Sequence, residues 1–145
     1  MSDYSTILLA IDLTDEAHNV AAKAISLREI NGASLHLVYV VEPLYFTDLD
    51  TENIQRVVQK QAEESLANFA DRYKIPADNV HLCQGRPQDE IHRLVNDINA
   101  DLVVVGSHGR HGLSLLLGST ANGVLHGSTC DVLAVRVGAN KKDIS

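Results

Sequence analysis

The sequence predicts an α/β fold: a five-stranded, mostly parallel sheet with helices on both faces. Three observations predict it. Five short segments rich in β-branched residues recur along the 145 residues. Longer segments with apolar residues at three- and four-residue intervals separate them, the spacing of amphipathic helices. Two of the short segments, Ile7–Ile11 and Leu102–Val105, are almost continuously apolar, as strands covered on both faces must be. Strictly alternating strands and helices specify crossover connections, and therefore parallel pairing.

Each element has its own signal. Ile7–Ile11 (ILLAI) is the first strand. Ala17, Val20, Ala21, Ala24, Ile25 and Leu27 mark the first helix. Thr14 is placed to cap it, with Asp15 and Glu16 in the first turn, where the helix dipole favours carboxylates. Asn31-Gly32 supplies a left-handed stop. Leu35–Val41 (LHLVYVV) is the second strand, and Glu42–Asp50 is a long connection expected to be mobile. Ile54, Val57, Val58, Leu66, Phe69, Ala70 and Tyr73 define the second helix. Val80–Cys83 is the third strand, after which Gly85-Arg86-Pro87 turns into the third helix with Pro87 at its first position. Ile91, Leu94, Val95 and Ile98 form the apolar stripe of that helix. Leu102–Val105 is the fourth strand. A shorter, more polar helix at roughly Ser119–His126 precedes the fifth strand, Val132–Val137. The chain reads as one domain over residues 1–145, with an ordered core over about 4–138 and a frayed polar tail from Asn140 to Ser145.

Composition removes several function classes. Twelve Lys and Arg stand against 19 Asp and Glu, a net charge of −7, which opposes binding of nucleic acid or anionic membrane through bulk charge. A hydrophobic fraction of 45% with 21% charged residues is that of a globular chain. No apolar run approaches the roughly 20 residues that span a bilayer, and the N-terminus lacks a basic leader pattern, so a cytoplasmic protein is expected. Cys83 and Cys130 are too few for a disulfide framework and read as small core or edge residues. His18, His36, His81, His92 and His126 are scattered without ligand spacing, and no metal site is expected from them.

Ligands of an open parallel sheet bind beyond the carboxyl ends of its strands, where the strand order reverses. Asp12-Leu13-Thr14 leaves the first strand, Val40-Val41-Glu42 ends the second, and Gly106-Ser107-His108-Gly109 leaves the fourth. The last runs on through Arg110, His111 and Gly112 to Gly118-Ser119-Thr120, placing four glycines in 13 residues. Glycines there let backbone approach a ligand, or else serve a tight strand-to-helix crossover; spacing alone leaves both readings open. The final helix starts without a carboxylate, so if a phosphate binds it is expected at Gly118-Ser119-Thr120, assisted by Gly106–Gly109. Walker-type glycine spacing is present but its lysine is missing, and the dinucleotide fingerprint would follow the first strand. No G-x-S-x-G elbow exists and Asp12 is the one well-placed acid, so no catalytic residue is assigned.

Together the residues resemble a family. Ile7-Leu8-Leu9-Ala10-Ile11-Asp12-Leu13-Thr14, Val40-Val41-Glu42, Gly85-Arg86-Pro87, Asp101-Leu102-Val103-Val104-Val105-Gly106-Ser107-His108-Gly109, Leu116-Leu117-Gly118-Ser119 and Cys130-Asp131-Val132-Leu133-Ala134-Val135 make the chain similar to the universal stress proteins over nearly its whole length. The resemblance implies a Rossmann-like three-layer sandwich of the adenine nucleotide alpha-hydrolase type. It also implies a homodimer paired through the closing strand, Asp131–Val137, whose exposed edge and alternating Leu133, Val135 and Val137 fit that role. Nucleotide-binding members carry glycine, two residues, glycine, nine residues, then glycine with serine or threonine; here eight residues, Arg110–Leu117, precede Gly118-Ser119.

Carried over by position, the resemblance implies that Ala10 and Asp12 meet the adenosine side and that the Val40-Val41 backbone reads the adenine edge. Gly106, His108, Gly109 and Arg110 form the phosphate loop with Gly118, Ser119 and Thr120. The implied ligand is ATP, or AMP or ADP, with Mg2+ as an optional companion, bound as a regulatory ligand in stress response. The alternatives are a nucleotide-independent dimeric interaction protein, or a slow ATPase or autokinase.

Overall fold

The computed structural model of the chain describes residues 3–43, 51–107 and 119–136. In chain order the elements are β1 (Thr6–Ala10), α1 (Ala17–Asn31), β2 (Ser34–Val41), α2 (Thr51–Arg72), a 3-10 turn (Ala77–Asn79), β3 (Val80–Gln84), α3 (Pro87–Ile98), β4 (Leu102–Gly106), α4 (Ser119–Leu125) and β5 (Asp131–Val135). The strands form one sheet in the order β3-β2-β1-β4-β5. Every neighbouring pair is parallel, so the predicted sheet is parallel throughout. Residues 44–50 of the expected mobile connection and the tail from Asn140 lie outside the described residues.

Two apolar layers sandwich the sheet, and β1 shows why its sequence is continuously apolar. Ile7 and Leu9 pack with Leu35, Leu37, Leu102 and Val104 beneath Val20, Ala21 and Ala24 of α1 and Leu66 and Phe69 of α2. Leu8 and Ala10 turn the other way, joining Val38, Val40, Val103 and Val105 beneath Ile91, Leu94 and Val95 of α3 and Ala121 and Val124 of α4. Successive side chains of a strand point to opposite faces, so a central strand with a helix layer on each side has no position left for a polar residue. β5 sits at an edge. It sends Leu133 and Val135 toward the α1 layer and Val132 toward the α3 layer, and it leaves Asp131 and Ala134 exposed.

The punctuation is partly as expected. Gly32 closes α1 at φ +62°, its N–H returning to the Arg28 carbonyl. Arg86 precedes α3 in extended conformation, with Pro87 in its first turn. The start of α1 corrects the prediction. Its N-cap position is Glu16, no side chain caps it, and no acidic residue lies in its first turn. Thr14, Asp15 and Glu16 instead form a tight turn whose carbonyls accept from the amides of Ala17, His18 and Asn19. At the other end of the sheet β5 stops at Val135, two residues before the predicted end; Arg136 follows outside the strand and Val137 lies outside the described residues.

One device had no signal in the sequence pattern. The Asp101 carboxylate, just ahead of β4, accepts from the Ser5 amide at 2.8 Å and the Thr6 amide at 3.1 Å. The amino ends of β1 and β4 are thereby tied, so their carboxyl ends part from a fixed base.

Candidate functional site

The strand order turns over at β1. β2 and β3 add on one side of it, β4 and β5 on the other, so the crevice lies beyond the carboxyl ends of β1 and β4. What stands there is set by where each strand stops.

At the exit of β1, the Ile11 amide still reaches the Val38 carbonyl of β2 at 3.1 Å. Asp12, the next residue, is half-buried, and its Oδ1 accepts from the Thr14 hydroxyl at 2.6 Å. The bond leaves Oδ2 of Asp12 as a carboxylate oxygen held in place by a neighbour two residues away.

β2 supplies a wall of two buried valines whose main chains differ. The Val41 carbonyl accepts from the Gly85 amide at 3.0 Å, so its polar groups belong to the β3 side. In a parallel ladder alternate residues bond to opposite neighbours. Val38 bonds toward β1, and Val40 therefore turns its N–H and C=O the same way, past the point where β1 has ended. Of the two predicted backbone readers, Val40 faces the crevice and Val41 faces β3.

β4 ends at Gly106, followed by Ser107. The Ser107 amide donates to the Val135 carbonyl at 2.7 Å, carrying the β4–β5 ladder one step beyond the strand. Ser107 is 7% exposed, and its hydroxyl is buried with no hydrogen-bond partner among the described residues. His108, Gly109, Arg110 and Gly118 lie outside the described residues, as does the interval whose length departs from the family pattern. Ser119 opens α4, and Thr120 is half-buried there. α4 is fixed from its far end: Ala121 and Val124 are buried, and Nε2 of His92 in α3 donates to the Val124 carbonyl at 2.9 Å.

The structure thus brings Ala10, Asp12, Val40, Gly106 and Ser107 to one end of the sheet. Among the described residues, an open depression of about 390 Å³ lies at the opposite end of β4 and β5, lined by Tyr4, Leu27, Leu102, Asp131, Val132 and Leu133, and shares none of these residues. Sequence reasoning also missed a histidine pair. His36 and His81, read as scattered, meet across β2 and β3 with Nδ1 and Nε2 3.0 Å apart. Among the described residues no group of three or more His, Cys, Asp or Glu is arranged to hold a metal ion. No described helix is long and apolar enough to cross a membrane.

Comparison with known proteins agrees with this architecture. A sequence model of the universal stress protein family matches residues 3–136. Universal stress protein A homolog 1 of Coxiella burnetii is 37% identical over 138 residues, which is 91% of this chain and 96% of that protein. The structure of universal stress protein UspA from Lactobacillus plantarum superposes with a TM-score of 0.79 at 21% identity, over 94% of this chain and 100% of that one. A universal stress protein solved in complex with cAMP gives a TM-score of 0.58 at 25% identity, over 92% and 98%. The match over almost all of the described chain, together with the five-stranded order, establishes that the chain belongs to the universal stress protein family.

Proposed function

We propose that this chain binds an adenine nucleotide, ATP or AMP, ADP or cAMP, in the crevice between β1 and β4, as a regulatory ligand rather than as a substrate for turnover. One observation carries the reading: Asp12 stands at the reversal of strand order with its carboxylate oriented by Thr14, beside the outward-turned main chain of Val40. An oriented carboxylate accepts hydrogen bonds from a ribose hydroxyl, and a main-chain N–H and C=O turned outward past the end of β1 suit the donor–acceptor edge of adenine. Gly106 supplies a Cβ-free strand end where a phosphate chain would pass. The relative solved with cAMP lends support from the same family. Mg2+, where present, would neutralise phosphate charge; Asp12 is the described carboxylate on that side of the site.

The same reading includes a homodimer through β5, whose outer edge pairs with no other described strand and which carries exposed Ala134. The test is calorimetric titration of the chain with ATP, ADP, AMP and cAMP, alongside Asp12→Ala. Saturable heat from at least one nucleotide, weakened about tenfold or more in the variant, is expected for loss of a charged hydrogen-bond acceptor. No heat from any of the four at millimolar concentration overturns the proposal.

A further inference from the structure

Among the described strands β3 is the outermost on its side of the sheet and bonds to β2 alone. A side-chain bond adds to that ladder. His36 of β2 and His81 of β3 stand on the α3 face, which also carries Val38, Val40 and Cys83. Val38 is the residue opposite His81, so His36 meets it on the diagonal, a distance that an imidazole can bridge. The nitrogens are 3.0 Å apart, the ring centroids 5.3 Å apart, and the ring planes 15° from parallel. That centroid distance is the full span of two imidazoles joined through one nitrogen each. The rings therefore lie end to end along an N–H···N bond and not face on face. Such a bond holds one hydrogen between two nitrogens, with one ring the donor and the other the acceptor.

The surroundings offer little to a second positive charge. On β3 the titratable neighbour is Cys83, whose thiol is pushed up by burial and stays neutral. From α3 come Glu90, Arg93 and Asp97. Arg93 occupies both carboxylates, at 2.7 Å and 3.2 Å, and reaches Cys83 Sγ at 3.9 Å. The 3-10 turn before β3 carries Asp78, which is exposed. β1, on the far side of β2, presents Leu8 opposite His36. Burial holds both imidazoles below the ordinary histidine range, and the charge of His81 pushes His36 down further.

We propose that His36 and His81 form a proton-operated latch on the edge strand β3, closed while one acceptor nitrogen remains and open once both facing nitrogens are protonated. The first added proton is tolerated, because an imidazolium still donates to a neutral ring. The second leaves two donors, no acceptor and two like charges in a half-buried site, and β3 loses its side-chain tie to β2. The sign follows from linkage: the folded pair binds protons less readily than the unfolded chain, so the stability it contributes is complete above the unfolded value near 6.5 and drains as pH falls through it.

The experiment is amide hydrogen exchange from pH 7.5 to 5.0, normalised to intrinsic rates, on the full chain without added nucleotide. This keeps it independent of the ligand reading. Protection at the Cys83 and Gly85 amides should fall about tenfold or more relative to Ala21 and Ala24 of α1, one pH unit of linkage corresponding to a factor of ten. In His81→Gln, which keeps a hydrogen-bonding side chain without titrating, that selective fall should vanish. Should the variant not fold, imidazole titration of the native chain by NMR decides: two separated steps below the ordinary histidine range support the latch. A single unperturbed step, or pH-independent protection of β3, overturns it.

Discussion

The Thr14 hydroxyl donates to the Asp12 carboxylate at 2.6 Å, and the main-chain amides of α1 make no use of it. A threonine directly before a pair of acids and a helix suggests a cap; here it orients a carboxylate at the mouth of the crevice. The two roles predict opposite results for Thr14→Val, which keeps shape and removes the hydroxyl. A lost cap costs about 1 kcal/mol, or roughly 2–4 °C in Tm for a domain of this size. We expect instead a five- to tenfold loss of nucleotide affinity, the worth of about one hydrogen bond, with Tm lowered by no more than the same bond costs. Thermal melts and calorimetry on the same samples check both halves, and a clear Tm drop with unchanged affinity would restore the capping role.

The outer edge of β5 gives a prediction about assembly. Because the Val135 carbonyl bonds inward to Ser107, its neighbours Ala134 and Arg136 turn their main-chain groups outward, away from β4. Proline is tolerated in a strand where the missing N–H faces outward. Ala134→Pro should therefore leave the β4–β5 ladder in place and remove a donor that a second copy would need. The expected outcome is a dimeric mass for the parent and a monomeric mass for the variant in light scattering, with far-UV circular dichroism unchanged. A variant that unfolds, or that remains dimeric, counts against pairing at this edge.

Both cysteines are free and half-buried, and their environments bear on reactivity. Burial pushes the Cys83 thiol up, with Arg93 pulling the other way; burial also pushes up Cys130, against the hydrogen bond from Ser128. Since the thiolate is the nucleophile, alkylation by iodoacetamide at pH 7.5 should run about tenfold or more slower than that of free cysteine. In denaturant the rates should converge. Rapid labelling of the folded chain at either position would mark a reactive thiol and overturn this reading.

How much was legible in the sequence depended on whether a single element carried the signal. β1 and β4 are readable because burial on both faces leaves every position apolar, and Pro87 and Gly32 are readable because each requires a particular backbone. The relation between Asp12 and Thr14 was hidden by a competing signal, the resemblance of Thr14-Asp15-Glu16 to a helix start. The His36–His81 pair was hidden for a different reason. Each residue sits on a recognisable strand face, but the two are 45 positions apart, and their meeting depends on the offset that puts Val38 opposite His81. That offset is set by the 3-10 turn and by Asn79, whose Nδ2 donates to the Leu35 carbonyl at 3.1 Å, and neither advertises a register. The end of β5 was overextended because Val137 continues the alternation after Val135.

Ser107 offers a test of the site's interior that does not need a ligand. Its amide is committed to Val135, while its hydroxyl is sealed from solvent and has no partner among the described residues. A buried polar group left unpaired costs about 1–3 kcal/mol of desolvation with nothing returned. Ser107→Ala removes that group, keeps the backbone bond, and opens a gap of only one oxygen atom. The variant should therefore be as stable as the parent or more so, by up to about 1 kcal/mol, which is a rise of roughly 2–4 °C in Tm. A fall in Tm of that size would mean that the hydroxyl is bonded in solution. Adding saturating nucleotide separates the cases further: an unpaired hydroxyl predicts the same ligand-induced shift in Tm for parent and variant, because stabilisation by binding depends only on affinity and concentration.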